Sequence, residues 1–260
     1  MVGQESPPLR LGSPGRAEHK REVSTLSGQA IVERATREHV YNRATRIVAS
    51  TLAGITTAAG VMHGWFELLQ GIDAPAGGPI INAIGPEQRL WEYAALHAFT
   101  LIPSYLVTGL VAIALGIIAT IWALAYIDTR SGPRVMLALS IALFLGGGGF
   151  GPLFTGVFAS LVATRIRRPL TWWRAHLSDR VRDVLARARL WMLVLYVMVF
   201  LLAVETTIFG RPLTLLLDAD TTYEIVLRAG NLTLLLMVLA VLSAFAHDIP
   251  RGRIPVNVAD

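Results

Sequence analysis

Long apolar runs without a charged side chain are the feature that most constrains how this chain can fold. Residues 98–127 and 135–164, for example, contain no Asp, Glu, Lys or Arg, and short arginine-rich segments lie between such runs. Apolar residues make up 53% of the chain and charged residues only 16%. Membrane spans and their loops segregate charge in this way, whereas a soluble core does not. The sequence therefore predicts an all-α, multi-pass membrane protein.

The chain divides into a polar tail and one membrane domain. Residues 1–26 are rich in proline, glycine and charge, which predicts a disordered cytoplasmic tail. Residues 27–260 are predicted to form a single helical membrane domain, in which Gly60 and Gly64 favour a close helix–helix contact. Pro86 predicts the start of a helix that continues into the second span. The predicted spans are residues 44–69, 97–127, 190–209 and 231–246.

A fifth apolar run, residues 135–165, is interrupted by a segment that favours a turn. Each arm beside this segment has about 12–15 residues, or roughly 18–23 Å of helix. That length is shorter than a hydrocarbon core of about 30 Å. If the run turns back, it is either a re-entrant hairpin or two short spans. The interrupting residues are Gly146, Gly147, Gly148, Gly149, Phe150, Gly151 and Pro152.

Arginine counts separate a single crossing from a hairpin, because Lys and Arg in short loops collect on the cytoplasmic side. We count the arginines on each side of the membrane, beginning with Arg34. If residues 135–165 cross once, eight arginines lie on the side that holds the N-terminus and eleven lie on the other side. If the chain turns back, the counts become sixteen and three. The second distribution satisfies the rule. The sequence therefore predicts a hairpin, with both termini cytoplasmic and the protein in the plasma membrane.

The segment that follows, residues 166–190, has an apolar and a basic face at helical spacing. Trp173, Leu177 and Val181 share the apolar face, so the segment is predicted to be an amphipathic helix in the membrane interface. Anionic lipid headgroups are the predicted partner, and nucleic acid is excluded because the apolar face and adjacent spans place the helix on the membrane. The arginines predicted to contact these headgroups are Arg174, Arg180, Arg182, Arg187 and Arg189.

Four polar residues, His63, Glu67, His97 and Glu205, lie at the predicted outer ends of the spans. His63 and Glu67 are four residues apart and therefore share one helix face. Two imidazoles and two carboxylates suit a borderline metal ion or a proton relay. They could equally hold the head of a quinone-like redox carrier. The structural alternative is that these side chains are only solvated or paired.

The glycine segment also has a functional and a structural interpretation. Two half-helices that meet at an irregular loop can form an ion or solute site, whereas packing glycines only let helices approach closely. The chain lacks cysteine and the motifs typical of hydrolases and phosphate-binding loops, so an enzyme is not favoured. The predicted function is a small-solute or ion permease, or a subunit of a homo- or hetero-oligomeric membrane complex. The alternative is a metal-binding or redox protein; the sequence identifies no cofactor.

Overall fold

A computed structural model describes residues 40–75 and 78–249, so the predicted tail, residues 1–26, lies outside the described part of the chain. This part is mostly α-helical. Two three-residue strands, β1 (Ile80–Asn82) and β2 (His97–Phe99), pair antiparallel between the first two helices. The α-helices are α1 (Arg43–Leu68), α2 (Tyr105–Ala125), α3 (Gly132–Leu145), α4 (Phe150–Ala163), α5 (Thr171–His176), α6 (Asp179–Phe209) and α7 (Ala219–Asp248).

Four of these helices, α1, α2, α6 and α7, are long and apolar enough to cross a membrane. The predicted all-α membrane architecture is confirmed at this level. Helix α1 lies at the centre: 61% of its apolar stretch is buried, compared with 17% for α6 and 22% for α7. Many apolar side chains of α6 and α7 are exposed on the bundle surface, where lipid would contact them.

The helix that the sequence predicts after Pro86 does not form. Pro86–Gln88 makes only one 3₁₀ turn, and α2 begins at Tyr105 rather than near residue 97. The cause is that backbone groups of this segment form hydrogen bonds with residues 82 and 83 rather than within a helix. The Asn82 side chain accepts the Leu96 N–H at 2.8 Å, and the Leu96 carbonyl accepts the Ala83 N–H at 2.8 Å. The chain before α2 is therefore held in a β hairpin.

Helices α6 and α7 begin well before the predicted spans at residues 190 and 231. Each start is fixed by an N-cap, because the Ser178 side chain accepts the Val181 N–H and Asp218 accepts the Thr221 N–H. The charged residues before 190 do not end α6, since Asp179, Arg180 and Arg187 are exposed and Arg182 pairs with Asp179. The segment 166–190 is consequently divided between α5 and the first turns of α6, rather than forming one helix.

Helices α3 and α4 pack side by side as a helical hairpin. Pro133 at the start of α3 and Ala163 at the end of α4 line the same pocket. The Arg167 Nε also donates to the Asp128 carbonyl at 2.7 Å, which joins the chain before α3 to the chain after α4. The chain therefore turns back at residues 146–149, and a single continuous helix through residues 135–165 is excluded.

The basic end of the bundle comprises the start of α1, the α2–α3 and α4–α5 connections and the end of α7. The Asn42 side-chain amide donates to the Arg165 carbonyl at 2.7 Å, and Arg46 Nε lies 3.5 Å from Asp128 Oδ2. The first turn of α1 donates to the Asp248 carboxylate at distances of 2.7–3.1 Å. These bonds bring four separate chain segments together at one end.

Small residues let α1 contact its neighbours closely. A methyl group added at Gly64 would lie 2.6 Å from the Gly109 carbonyl oxygen of α2. The Thr57 and Thr120 hydroxyls are hydrogen bonded at 2.9 Å along the same interface. Gly60 lies against Leu143 of α3. The close helix contact expected from Gly60 and Gly64 is thus present.

We predict that Gly64→Ala destabilises the protein by about 1–3 kcal/mol, because the added methyl group forces α1 and α2 apart. Thermal unfolding of the purified protein in detergent measures the change. Gly230→Ala is the matched control, since a methyl group at Gly230 has no atom within 4 Å. It should leave the midpoint unchanged or raise it. Equal midpoints for the two variants would contradict the close α1–α2 contact.

Candidate functional site

The glycine turn, Gly146–Gly149, connects α3 to α4 in a backbone conformation that requires glycine. Gly147 and Gly149 have φ values of +100° and +86°. Side chains disfavour this left-handed region. Phe150 begins α4, and Gly151 and Pro152 follow in its first turn. The sequence segment that favoured a turn therefore contains both the turn and the next helix start.

The loop before α2 covers the glycine turn. The Gly147 N–H donates to the Phe99 carbonyl at 3.1 Å, and the Leu101 N–H donates to the Leu145 carbonyl at 3.2 Å. Within the turn, the Gly148 N–H donates to the Leu143 carbonyl at 2.7 Å. An irregular backbone inside a membrane protein needs such partners, because lipid supplies none.

Phenylalanine side chains pack around the same turn. The Phe99 and Phe144 rings are stacked with centroids 5.0 Å apart, and Phe150 meets Phe144 edge-on at 5.2 Å. Stacked and edge-on pairs of this kind are favourable. Phe150, included in the predicted transport segment, therefore has a packing contact of its own.

His63 and Glu67 of α1 lie directly against the two left-handed glycines. A methyl group at Gly147 would lie 2.6 Å from Glu67 Oε2 and 2.9 Å from Oε1, and one at Gly149 would overlap the His63 imidazole. The structure thus joins two features that the sequence presents separately, the His–Glu pair and the glycine turn. Their separation in sequence hides this contact. The only sequence signal is the absence of side chains at the turn.

Both side chains are buried, and several of their polar atoms have no partner. Glu67 is 0% exposed and His63 is 7% exposed. Among the described residues, neither Glu67 carboxyl oxygen nor His63 Nδ1 has a hydrogen-bond partner. An unsatisfied buried polar group costs about 1–3 kcal/mol. Packing alone does not account for two such groups side by side, since apolar residues would avoid this cost.

A cavity of about 90 Å³ extends from His63 toward α6. Its lining is mostly apolar, and the Thr56 hydroxyl, its other polar side chain from α1, donates to the Leu52 carbonyl at 2.7 Å. The imidazole is therefore the polar group available to whatever enters the cavity. The remaining lining residues are Ala59, Met62, Leu96, Gly151, Pro152, Phe200, Val204 and Ile208.

His97 and Glu205, the other two residues of the predicted set, lie on β2 and α6 and form no metal-binding group with this pair in the described part of the chain. His97 is exposed on β2 and lines a surface groove of about 400 Å³ with Tyr93 and Tyr223. In that groove the hydrogen bond from the Tyr93 hydroxyl to Asp220 raises the pKa of Tyr93 to about 12. Glu205 is half-buried on α6, and its Oε2 has no partner in the described part of the chain.

The metal interpretation gains no support from this arrangement. Within residues 40–75 and 78–249, no three His, Asp or Glu side chains form a group that could hold a metal ion. His63 and Glu67 meet at the turn and supply one imidazole and one carboxyl group. A metal or redox role for the four residues stays a prediction, whereas a carboxyl–imidazole pair is sufficient to bind and pass a proton.

The predicted headgroup arginines lie on α5 and the first turns of α6. Arg174, Arg180 and Arg187 are exposed, and Arg189 is half-buried. Arg182 forms an ion pair with Asp179 at 2.7 Å, and its side chain is only 13% exposed. Arg182 is consequently less accessible to a headgroup than the three exposed arginines.

We predict that Gly147→Ala destabilises the protein by about 1–3 kcal/mol, through the positive φ and the clash with Glu67. Combining it with Glu67→Ala should recover part of this loss, because the clash is removed while the backbone strain remains. Thermal unfolding of the four proteins of this double-mutant cycle measures the coupling. Gly151→Ala is the control, since no atom lies within 4 Å of its added methyl group. Strictly additive effects would contradict direct packing of Glu67 on Gly147.

The described site therefore consists of an imidazole, a carboxyl group and a glycine turn, enclosed by α1, α3, α4, α6 and the loop before α2. Its polar atoms lie among apolar helices rather than at a protein surface. No protein family model, curated protein or solved structure matches this chain.

Proposed function

We propose that the protein lies in the plasma membrane with its basic end in the cytoplasm, and that α3 and α4 form a re-entrant hairpin. Each of the two helices has 14 residues, or about 21 Å, which is less than the hydrocarbon thickness of about 30 Å. Both outer ends of the hairpin lie at the basic end. Under this proposal both termini are cytoplasmic.

The distribution of arginines supports this orientation. Arg43, Arg46, Arg130, Arg134, Arg165, Arg167 and Arg168 belong to the segments of the basic end, whereas the loops at the opposite end contain Arg89 and Arg211. Positive loop charges favour the cytoplasmic side. Helix α5 and the first turns of α6 then lie at the cytoplasmic interface. There, Trp172 and Trp191 are exposed beside the arginines proposed to contact anionic lipid headgroups.

Single-cysteine variants test this topology directly, because the chain has no cysteine of its own. A membrane-impermeant maleimide added to intact cells should label Ile72→Cys and Leu216→Cys, which are 80% and 82% exposed as native residues. Ala175→Cys on α5 should react only after permeabilisation. Labelling of Ala175→Cys in intact cells would overturn the hairpin orientation.

We further propose that the protein is a small-solute or ion permease in which His63 and Glu67 bind a proton during transport. The observation that carries this proposal is the pair of buried, unpartnered polar side chains at the glycine turn. Ionisable residues inside a membrane bundle are expensive to keep and mark ion or proton pathways by default. The pair is placed where a proton could be exchanged within the bundle.

The helix ends at the turn add to the chemistry of this pair. Helix α3 ends at Leu145 and α4 begins at Phe150, so a carbonyl end and an N–H end meet beside Glu67 and His63. Such ends carry partial charges of opposite sign. Transporters use broken helices in the same way to bind ions and solutes. The turn can therefore stabilise a small charged species that passes the pair.

Reconstitution into liposomes with an internal pH-sensitive dye tests this function. When a potassium diffusion potential drives proton entry, wild-type protein should acidify the liposome interior. Glu67→Gln keeps the side-chain size but cannot release a proton, so its flux should fall about tenfold or more. The matched control is Glu87→Gln at an exposed position, which should transport normally.

Two outcomes would count against proton coupling. Equal flux in wild type and Glu67→Gln would remove the pair from the pathway. Absent flux together with bound metal or a visible redox spectrum would support the alternative function, a metal-binding or quinone-type redox protein. For that alternative, the apolar cavity beside the His63 imidazole is the feature that suits a carrier headgroup.

A further inference from the structure

Four arginines surround a pocket at the base of the helical hairpin. The pocket has a volume of about 780 Å³ and lies between the start of α3 and the end of α4. Its size falls within the range of small-molecule sites. The arginines are Arg130, Arg134, Arg167 and Arg168, all distinct from those of α5 and α6 discussed above.

The pocket carries an excess of positive charge. Asp128 is its one acidic residue, set against four guanidinium groups. The Asp128 carboxylate accepts a hydrogen bond from the Tyr41 hydroxyl at 2.6 Å and lies 3.5 Å from Arg46 Nε. Burial raises the pKa of Asp128, but the Tyr41 hydrogen bond and the charges of Arg46 and Arg167 outweigh it and hold the pKa below its usual range. The Asp128 carboxylate thus interacts with Tyr41, Arg46 and Arg167, and it forms no ion pair with the other three pocket arginines.

The guanidinium groups are available to an anion. Arg130, Arg134 and Arg168 are exposed and form no ion pair with any described residue. Arg167 is oriented by its bond to the Asp128 carbonyl and by the Tyr41 ring, whose centroid is 5.7 Å from its Cζ. Only one Arg167 nitrogen is used in that bond, so the others can still donate.

The start of α3 adds to this potential. Its first turn has no acidic residue and no side-chain cap, so the partial positive charge of the helix N-terminus is not neutralised locally. Apolar side chains, Pro133, Ala163 and Ile166, form the rest of the lining. Trp122, whose indole donates to the Gly132 carbonyl at 3.1 Å, marks the membrane interface at the same level.

We propose that this pocket binds the phosphate group of an anionic phospholipid, whose headgroup bridges the two ends of the helical hairpin. Arginine guanidinium groups bind phosphate oxygens through paired, charge-assisted hydrogen bonds. Basic pockets between membrane helices bind such headgroups. A lipid fits better than a soluble phosphate, because the apolar lining and the interfacial tryptophan provide contacts for glycerol and acyl carbons. This choice rests on the membrane placement proposed above.

Native mass spectrometry of the full-length protein in detergent tests the site. The probes are phosphatidylglycerol and the zwitterionic phosphatidylcholine. We expect one tightly retained phosphatidylglycerol per chain, and about tenfold weaker retention in Arg134→Gln/Arg168→Gln. The matched control is Arg89→Gln/Arg211→Gln, which removes the same charge from the opposite end. Equal retention in the two double variants, or in the two lipids, would overturn the proposal.

Thermal unfolding of the same proteins supplies a second readout. Phosphatidylglycerol should raise the melting temperature of wild type and of the control, but not of Arg134→Gln/Arg168→Gln, if the headgroup bridges the hairpin. Unfolding without lipid verifies that this variant is folded. Inorganic phosphate is the soluble probe: displacement of the lipid by phosphate, with the same thermal shift, would overturn the lipid assignment.

The outcome is independent of transport. Retention of lipid is measured in detergent, where neither flux nor orientation enters. Equal retention by both double variants, combined with cysteine labelling that places the basic end in the cytoplasm, would reject this site alone. Loss of retention in Arg134→Gln/Arg168→Gln together with external labelling of Ala175→Cys would reject the orientation and keep the binding pocket.

Discussion

The fold depends on one steric constraint, the close approach of a backbone turn to two buried polar side chains. Gly147 and Gly149 have no Cβ, so the turn can lie against Glu67 and His63 while adopting positive φ values. Contacts on both sides of the turn hold it in this position. The Phe99 carbonyl occupies the outer side of the turn, and α1 supplies the inner side. Any larger residue at the turn would separate the hairpin from α1.

The hydrogen bonding of acidic side chains differs between the basic end of the bundle and the glycine turn. At the basic end, the Asp248 carboxylate accepts three hydrogen bonds from the first turn of α1, and the Asp128 carboxylate accepts one from Tyr41 and pairs with Arg46. These contacts join chain segments that are far apart in sequence. At the glycine turn, Glu67 has none among the described residues. This contrast supports the role proposed for Glu67, because satisfied groups stabilise a fold and unsatisfied groups destabilise it.

Hydropathy patterns were enough to predict the four long helices. They act over whole segments, so local errors average out. The helix expected after Pro86 was wrong because the Asn82 side chain binds Leu96, a tertiary contact that no periodic pattern records. Helices α6 and α7 start before the predicted spans, because each helix continues beyond its apolar stretch into charged residues. His63 and Glu67 were found from sequence, but their contact with Gly147 depends on how α1 and the hairpin pack.

The bond between Asp248 and the first turn of α1 has a consequence for biosynthesis. Thr45 and Asp248 lie 203 positions apart, so α1 obtains this partner only after α7 has been made. Until then, the free N–H groups of Ala44 and Thr45 depend on water at the bundle end. Arrival of α7 then supplies the Asp248 carboxylate to the first turn of α1. The first turn of α1 is therefore made before α2 to α7, but its hydrogen bonds are completed only when α7 is in place.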